Sequence, residues 1–321
     1  MLAIYRLLQR IALGDKDHAF QLLDNTYVLV LPGHFDSDST PHLTVYSLSP
    51  SSGSSSSQPI CSLQLPGVTL APGKRISYRD VCVSRPPPIP EGHFQADPSV
   101  SMVVITDYIE VGGHPSHSDY ASHLLIPYAT LLAQIRTAVD SNSNRDVCEY
   151  PVPVLWEDWG PRASLRLCVP VVGDRSDPMI VHQILVPYGS RMPVVSFNDP
   201  GSTCASVYVF DINPLAARYA QQALRASAQP ESGVRATAIV EDSDVEAALP
   251  GVVDPDIKGI PFVVYRFELP QEDPGWPAVR AVRMSMTGFT VTVRLLQDYH
   301  SASRYPCSMI ARCSMVDTDP M

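Results

Sequence analysis

Charged residues are scarce in this chain, and its basic residues form no cluster. Only 17% of the 321 residues are Asp, Glu, Lys or Arg, against about a quarter in typical globular proteins. The 33 acidic residues outnumber the 23 Lys and Arg, which gives a formal net charge of −10. Because an acidic surface repels phosphate backbones and anionic lipid headgroups, we expect neither nucleic acid nor a membrane as a partner.

Long apolar runs and paired cysteines are also missing. No stretch reaches the roughly 18 apolar residues of a membrane helix, and Arg6 and Arg10 interrupt the apolar start, which is atypical of a signal peptide. The seven cysteines are an odd number, widely spread, and no two form a Cys-x-x-Cys pair. These absences favour reduced thiols and a cytoplasmic or nuclear location.

Proline, by contrast, is abundant: the chain has 31, roughly twice the average usage of about 5%. Proline cannot donate a hydrogen bond to a sheet, so its spread between short apolar runs indicates many short strands joined by turns. Apolar and polar residues alternate in these runs, as in Phe289, Val291 and Val293, which is typical of half-buried strands. The pattern predicts strands at 27–31, 61–65, 102–105, 165–169, 184–186, 207–210, 263–269 and 289–295.

Helix is predicted in two places. Residues 127–139 carry an apolar stripe that includes Leu131 and Ile135. Residues 215–228 follow Asn213 and Pro214, a capping residue and a proline suited to the first helical position. We therefore expect an all-β protein with two short peripheral helices.

We expect one domain over residues 1–321, because strands of the same style resume after every loop. Flexible loops are predicted at 49–59, which is rich in serine, at 85–98, which is rich in proline, and at 241–256, which is acidic. An irregular tail is predicted from about residue 297. Repeated short strands with turns favour a β-sandwich or a β-propeller, and the residue patterns leave that choice open.

Two polar segments could carry metal-dependent chemistry. His114, His117, Asp119 and His123 have side chains that zinc accepts, and Asp36 with Asp38 matches the Asp-x-Asp-x-Thr motif of a class of phosphatases. The first segment follows Gly112-Gly113, and no run of alternating strands and helices follows the second. We predict solvated loops, no metal, no cofactor and no enzyme activity, with a metal-dependent hydrolase as the alternative.

Residues 155–162 read Leu-Trp-Glu-Asp-Trp-Gly-Pro-Arg and stand out from the rest of the chain. Trp156 and Trp159 flank Gly160 and Pro161, and large aromatic residues beside such a turn are typical of a buried sheet junction. The alternative is an exposed pair that contacts a partner, since tryptophan is enriched at binding hot spots. Trp156 and Trp159 are therefore the candidate partner-binding residues.

The same segment resembles the Trp-Glu-x-Trp-Gly-Pro-Arg stretch of a large family of F-box proteins from mushroom-forming and wood-decay fungi. Three further segments resemble that family in the same order: the strands within 20–66, the Asp-Ile-Asn-Pro stretch at 211–214 with Arg218, and the strand at 261–270. The resemblance implies a WD-repeat-like β-propeller that holds the substrate of an SCF-type ubiquitin ligase, and an F-box module that docks on the ligase adaptor.

Residues 1–20 are too short for an F-box, so we expect the propeller part without that module, in a ring that need not be complete. The ubiquitin-ligase adaptor is an expected partner only if an F-box lies upstream. The resemblance thus implies a non-enzymatic recognition module that binds an unidentified protein.

Overall fold

The computed structural model shows a mostly β protein with eighteen strands and four helices among the residues it describes. Those residues are 18–23, 26–32, 40–48, 59–68, 70, 72–85, 100–111, 118–142, 153–170, 184–197, 205–225, 237–239, 242–268, 279–285, 288–294 and 308–314. None of the helices in these ranges is both long and apolar enough to cross a membrane.

Most of the described strands have seven residues or fewer, as the many prolines predict, but three have ten or eleven. In chain order they are β1 (His18–Leu22), β2 (Tyr27–Pro32), β3 (His42–Ser47), β4 (Pro59–Gln64), β5 (Lys74–Ser84), β6 (Met102–Val111), β7 (Ser118–Pro127), β8 (Pro153–Val154), β9 (Leu165–Pro170), β10 (Ile184–Val186), β11 (Arg191–Phe197), β12 (Ala205–Asp211), β13 (Thr237–Ile239), β14 (Val253–Lys258), β15 (Val263–Glu268), β16 (Val279–Met284), β17 (Gly288–Arg294) and β18 (Ser308–Ser314). The helices are α1 (Tyr128–Asn142), α2 (Trp156–Trp159), α3 (Pro214–Arg225) and α4 (Asp242–Ala248).

The chain divides into two compact units. The first comprises Met1–Val83, Met102–Cys168 and Asp254–Ile260, and the second comprises Ser84–Ser101, Val169–Val253 and Pro261–Met321. Each unit has its own buried apolar cluster. The prediction of one domain over residues 1–321 requires that the two units fold together, and it stays a prediction.

Two five-stranded sheets build the first unit. One has the order β1-β2-β3-β4-β8, antiparallel from β1 to β4 and parallel between β4 and β8. The other has the order β14-β9-β7-β6-β5. Alternate residues of both sheets join one cluster with α1 and Trp159, because successive side chains of a strand point to opposite faces. Its members include Leu29, Leu31, Leu43, Leu63, Val103, Ile105, Leu124, Ile126, Leu131 and Ile135.

Two four-stranded sheets build the second unit. Their orders are β11-β12-β15-β13, which is antiparallel throughout, and β10-β16-β17-β18, in which β10 runs parallel to β16. Their shared cluster comprises Val195, Val207, Val209, Phe267, Val282, Met284, Phe289 and Val291. The rings of Phe267 and Phe289 meet edge to face, with their centroids 4.9 Å apart, a favoured geometry for aromatic pairs.

The predicted elements agree well with the observed ones. All eight predicted strands are present, and the two predicted helices correspond to α1 and α3. The mostly β class is therefore confirmed. None of the four sheets closes on itself over the described residues, and the propeller stays a prediction.

The prediction of a loop at 241–256 was wrong. Residues 242–248 form α4 and residues 253–258 form β14. Val245 and Leu249, four residues apart, are 3% and 1% exposed, so this acidic segment buries an apolar stripe like any amphipathic helix.

The prediction of an irregular tail from about residue 297 also fails in part, because β18 at Ser308–Ser314 pairs antiparallel with β17. The predicted loops at 49–59 and 85–98 lie outside the described residues, apart from Pro59 and Arg85 at their ends.

Candidate functional site

The tryptophan turn, residues 155–162, connects β8 to β9 in the first unit and contains α2. Trp159 is 4% exposed and belongs to the apolar cluster, whereas Trp156 is half-buried against that cluster. Gln64, the last residue of β4, binds both: its Oε1 accepts from the backbone N–H of Trp156, and its carbonyl oxygen accepts from Trp159 Nε1, each over 3.1 Å. One residue of the sheet therefore fixes the position of both tryptophans.

The packing of the two indole rings explains why position 160 is a glycine. They meet edge to face, with their centroids 5.2 Å apart and their planes at 82°. The Trp156 ring lies directly over Gly160, where an added Cβ would fall 1.9 Å from Trp156 Cζ3. Because Gly160 has φ −85° and ψ −48°, which any residue adopts, the requirement at this position is for space.

A second close approach holds the far side of the turn. The Ser164 hydroxyl donates to the Gly160 carbonyl oxygen over 2.7 Å, and the Gly259 N–H donates to the Ser164 carbonyl oxygen over 2.9 Å. A Cβ at Gly259 would lie 2.1 Å from the Pro161 carbonyl oxygen. The segment after β14 thus packs backbone to backbone on the turn.

Arg166 fixes the position of the loop that follows β4. Its buried guanidinium donates to the carbonyl oxygens of Gly67 and Pro66, both over 3.2 Å, and lies 3.5 Å from the Asp254 carboxylate. A buried arginine is tolerated because these acceptors replace water and the carboxylate balances its charge. The chain that follows Gln64 is therefore fixed along with Gln64.

The outward side of the turn is apolar and acidic. Leu155 is 50% exposed, and Pro153, Glu157 and Asp158 are exposed around it. Neither carboxylate forms an ion pair or a side-chain hydrogen bond with another residue in the ranges that the structure covers. The arrangement can contact another molecule through an apolar side chain flanked by unpaired negative charge.

His123 lies elsewhere than predicted. It belongs to β7 and is 4% exposed, so its placement in a solvated loop was wrong. Its Nδ1 lies 3.0 Å from the Thr106 hydroxyl, whereas its Nε2 has no hydrogen-bond partner among the residues that the structure describes. Burial lowers the pKa of His123 from 6.5 to about 4, because desolvation disfavours the charged imidazolium.

The other candidate metal ligands are not brought together by anything the structure shows. Asp119 belongs to β7, and His114, His117, Asp36 and Asp38 lie outside the described residues. Within the residues whose positions are known, no three His, Cys, Asp or Glu side chains form a group that could hold a metal ion. The hydrolase alternative thus has no observation in its favour from this part of the chain.

Three cysteines whose side chains the structure describes are poor nucleophiles. Cys61, Cys82 and Cys168 are free thiols, and burial raises the pKa of all three, that of Cys61 to about 12. Since the thiolate is the reactive form, these residues stay protonated and unreactive at neutral pH.

The Asp-Ile-Asn-Pro segment has a structural role in the second unit. Asp211 is 2% exposed, and its carboxylate accepts from the Ser190 hydroxyl over 2.7 Å, from Arg191 Nε over 3.2 Å and from the Asn213 N–H over 3.0 Å. Asn213 Oδ1 then accepts from the Leu215 N–H over 2.9 Å, which caps α3. These residues join a turn, a strand and a helix, and their polar groups are used in the hydrogen bonds of that junction.

Sequence reasoning did not identify Gln64, Arg166 or Gly259 as parts of the tryptophan turn. Gln64 lies 92 residues from Trp156 in the chain, and it looks like an ordinary outward-facing residue of an alternating strand. No local pattern signals such a contact, because it depends on how distant strands pair.

Comparison with known protein families, curated proteins and solved structures finds no match to this chain. The resemblance to fungal F-box proteins therefore stays a prediction.

Proposed function

We propose that this chain is a non-enzymatic protein-binding module, and that its contact surface is the outward side of the tryptophan turn, residues 153–158. The observation that carries the proposal is Leu155, which is 50% exposed beside half-buried Trp156 on a turn held from several sides. An apolar side chain held at the surface by a rigid turn loses little conformational freedom when a partner covers it.

The fixed geometry of the turn supports this role. Residues that bind partners work best when their positions are set by packing and by hydrogen bonds from a supporting layer. Gln64 and Trp159 supply that layer here, and Gly160 and Gly259 permit the close packing. Half-buried Trp156 then contributes the part of its surface that remains exposed, whereas buried Trp159 acts only by supporting it.

The proposal extends to a propeller-like, substrate-holding part of an F-box protein lineage. Four sheets of four or five strands, mostly antiparallel neighbours, are the kind of unit from which a propeller is built. The four sequence segments that resemble that family also support it. Recruitment of a ubiquitin-ligase adaptor belongs to the proposal only where an upstream F-box is present, because the adaptor grips that helical module.

Site-specific photocrosslinking tests the proposed surface. A photoreactive phenylalanine analogue replaces Leu155 in one version of the chain and Leu215 in another, and each is irradiated in extract from cells that express the protein. Leu215 is the matched control because it is a leucine on α3 in the second unit, 61% exposed. We expect a discrete set of protein adducts from position 155 that is absent from position 215.

Two outcomes would contradict the proposal. Adducts that are the same from both positions would show unspecific labelling of exposed sites. A soluble, folded protein that gives no adduct at position 155 would show that this surface contacts no partner under these conditions.

A further inference from the structure

We draw no further inference here: the strongest candidate, the outer apolar face of the sheet that begins with β1, where Phe20 and Leu22 are 47% and 40% exposed beside buried Val28 and Val30, carries nothing because nothing in the structure shows what covers it.

Discussion

At the scale of single residues, Gly160 and His123 are held by different constraints. Gly160 has a backbone conformation open to any residue, but the Trp156 ring occupies the volume of a side chain. His123 is buried away from solvent, so the fold favours its neutral form. Each constraint predicts a measurable effect on stability.

We expect Gly160→Ala to destabilise the fold by about 1–3 kcal/mol, the usual cost of forcing extra volume into a packed site. The new Cβ would displace the Trp156 ring, since the two would otherwise lie 1.9 Å apart. Gly67→Ala is the matched control, because a Cβ there meets nothing within 4 Å. Urea unfolding of both variants measures the difference.

A Gly160→Ala variant as stable as Gly67→Ala would mean that the Trp156 ring moves aside at no cost. The turn would then be flexible, and its rigidity would no longer support the proposed contact surface.

We expect the free energy of unfolding to fall as the pH drops from about 6.5 to about 4, partly because of His123. Its folded pKa is about 4 and its ordinary value is 6.5, so between these values the unfolded chain binds more protons. Stability therefore rises with pH across this window and is complete above it. At about 1.4 kcal/mol per pKa unit, the loss from this group approaches 3 kcal/mol at the acid end.

His123→Gln isolates that contribution, because glutamine does not titrate and can still bond the Thr106 hydroxyl. Urea unfolding at a series of pH values should give a flatter profile for the variant. If the wild type and the variant lose stability in parallel between pH 6.5 and pH 4, the buried neutral histidine is not the cause.

At the scale of secondary-structure elements, Asp211 joins three pieces of backbone. Asp211 is the last residue of β12. Its carboxylate accepts a hydrogen bond from the Ser190 hydroxyl in the turn before β11, and another from the N–H of Asn213, which caps α3. The carboxylate is buried, whereas the Arg191 side chain is 31% exposed. Removal of the acid leaves the Ser190 hydroxyl and the Asn213 N–H without this acceptor, while the arginine can be hydrated.

We expect Asp211→Ala to cost about 2–4 kcal/mol, slightly less than the 3–5 typical of breaking a fully buried pair. Asp211→Asn, which keeps the shape and one acceptor, should fall between this variant and the wild type. Asp256→Ala is the control, because Asp256 is exposed and such changes usually stay within about 0.5 kcal/mol. Equal midpoints for Asp211→Ala and Asp256→Ala in urea would contradict the role assigned to Asp211.

Eight of the eighteen described strands and two of the four described helices could be predicted from local patterns, and the misses have physical causes. Alternation in 289–295 predicts β17, and Asn213-Pro214 predicts the start of α3, because both signals act within a few residues. The helix at 242–248 was not predicted because its acidic residues are typical of a solvated loop. The spacing of Val245 and Leu249 was nevertheless a usable signal of a buried helix face. The candidate site was only half predictable: the tryptophans stand out, whereas Gln64 reaches them through pairing of strands far apart in the chain.

At the scale of the whole molecule, the chain passes between the two compact units five times, after Val83, Ser101, Cys168, Val253 and Ile260. Neither unit is a continuous segment of sequence. Each unit can therefore complete its fold only when segments far apart in the sequence come together. This connectivity supports the expectation that the two units behave as one domain.

We therefore expect thermal or urea unfolding to show one cooperative transition, and a core substitution in either unit to shift all of it. Leu63→Ala removes a fully buried side chain from the first cluster, and Phe267→Ala removes one that is 1% exposed from the second. Each should cost about 2–5 kcal/mol, and far-ultraviolet circular dichroism should follow the loss of strands from both units. If the units were independent, the curve would split, and each substitution would move only the part that belongs to its own unit. Two separate transitions of that kind would show two domains and contradict the prediction of one. Coupled folding requires instead that each substitution shift the whole transition.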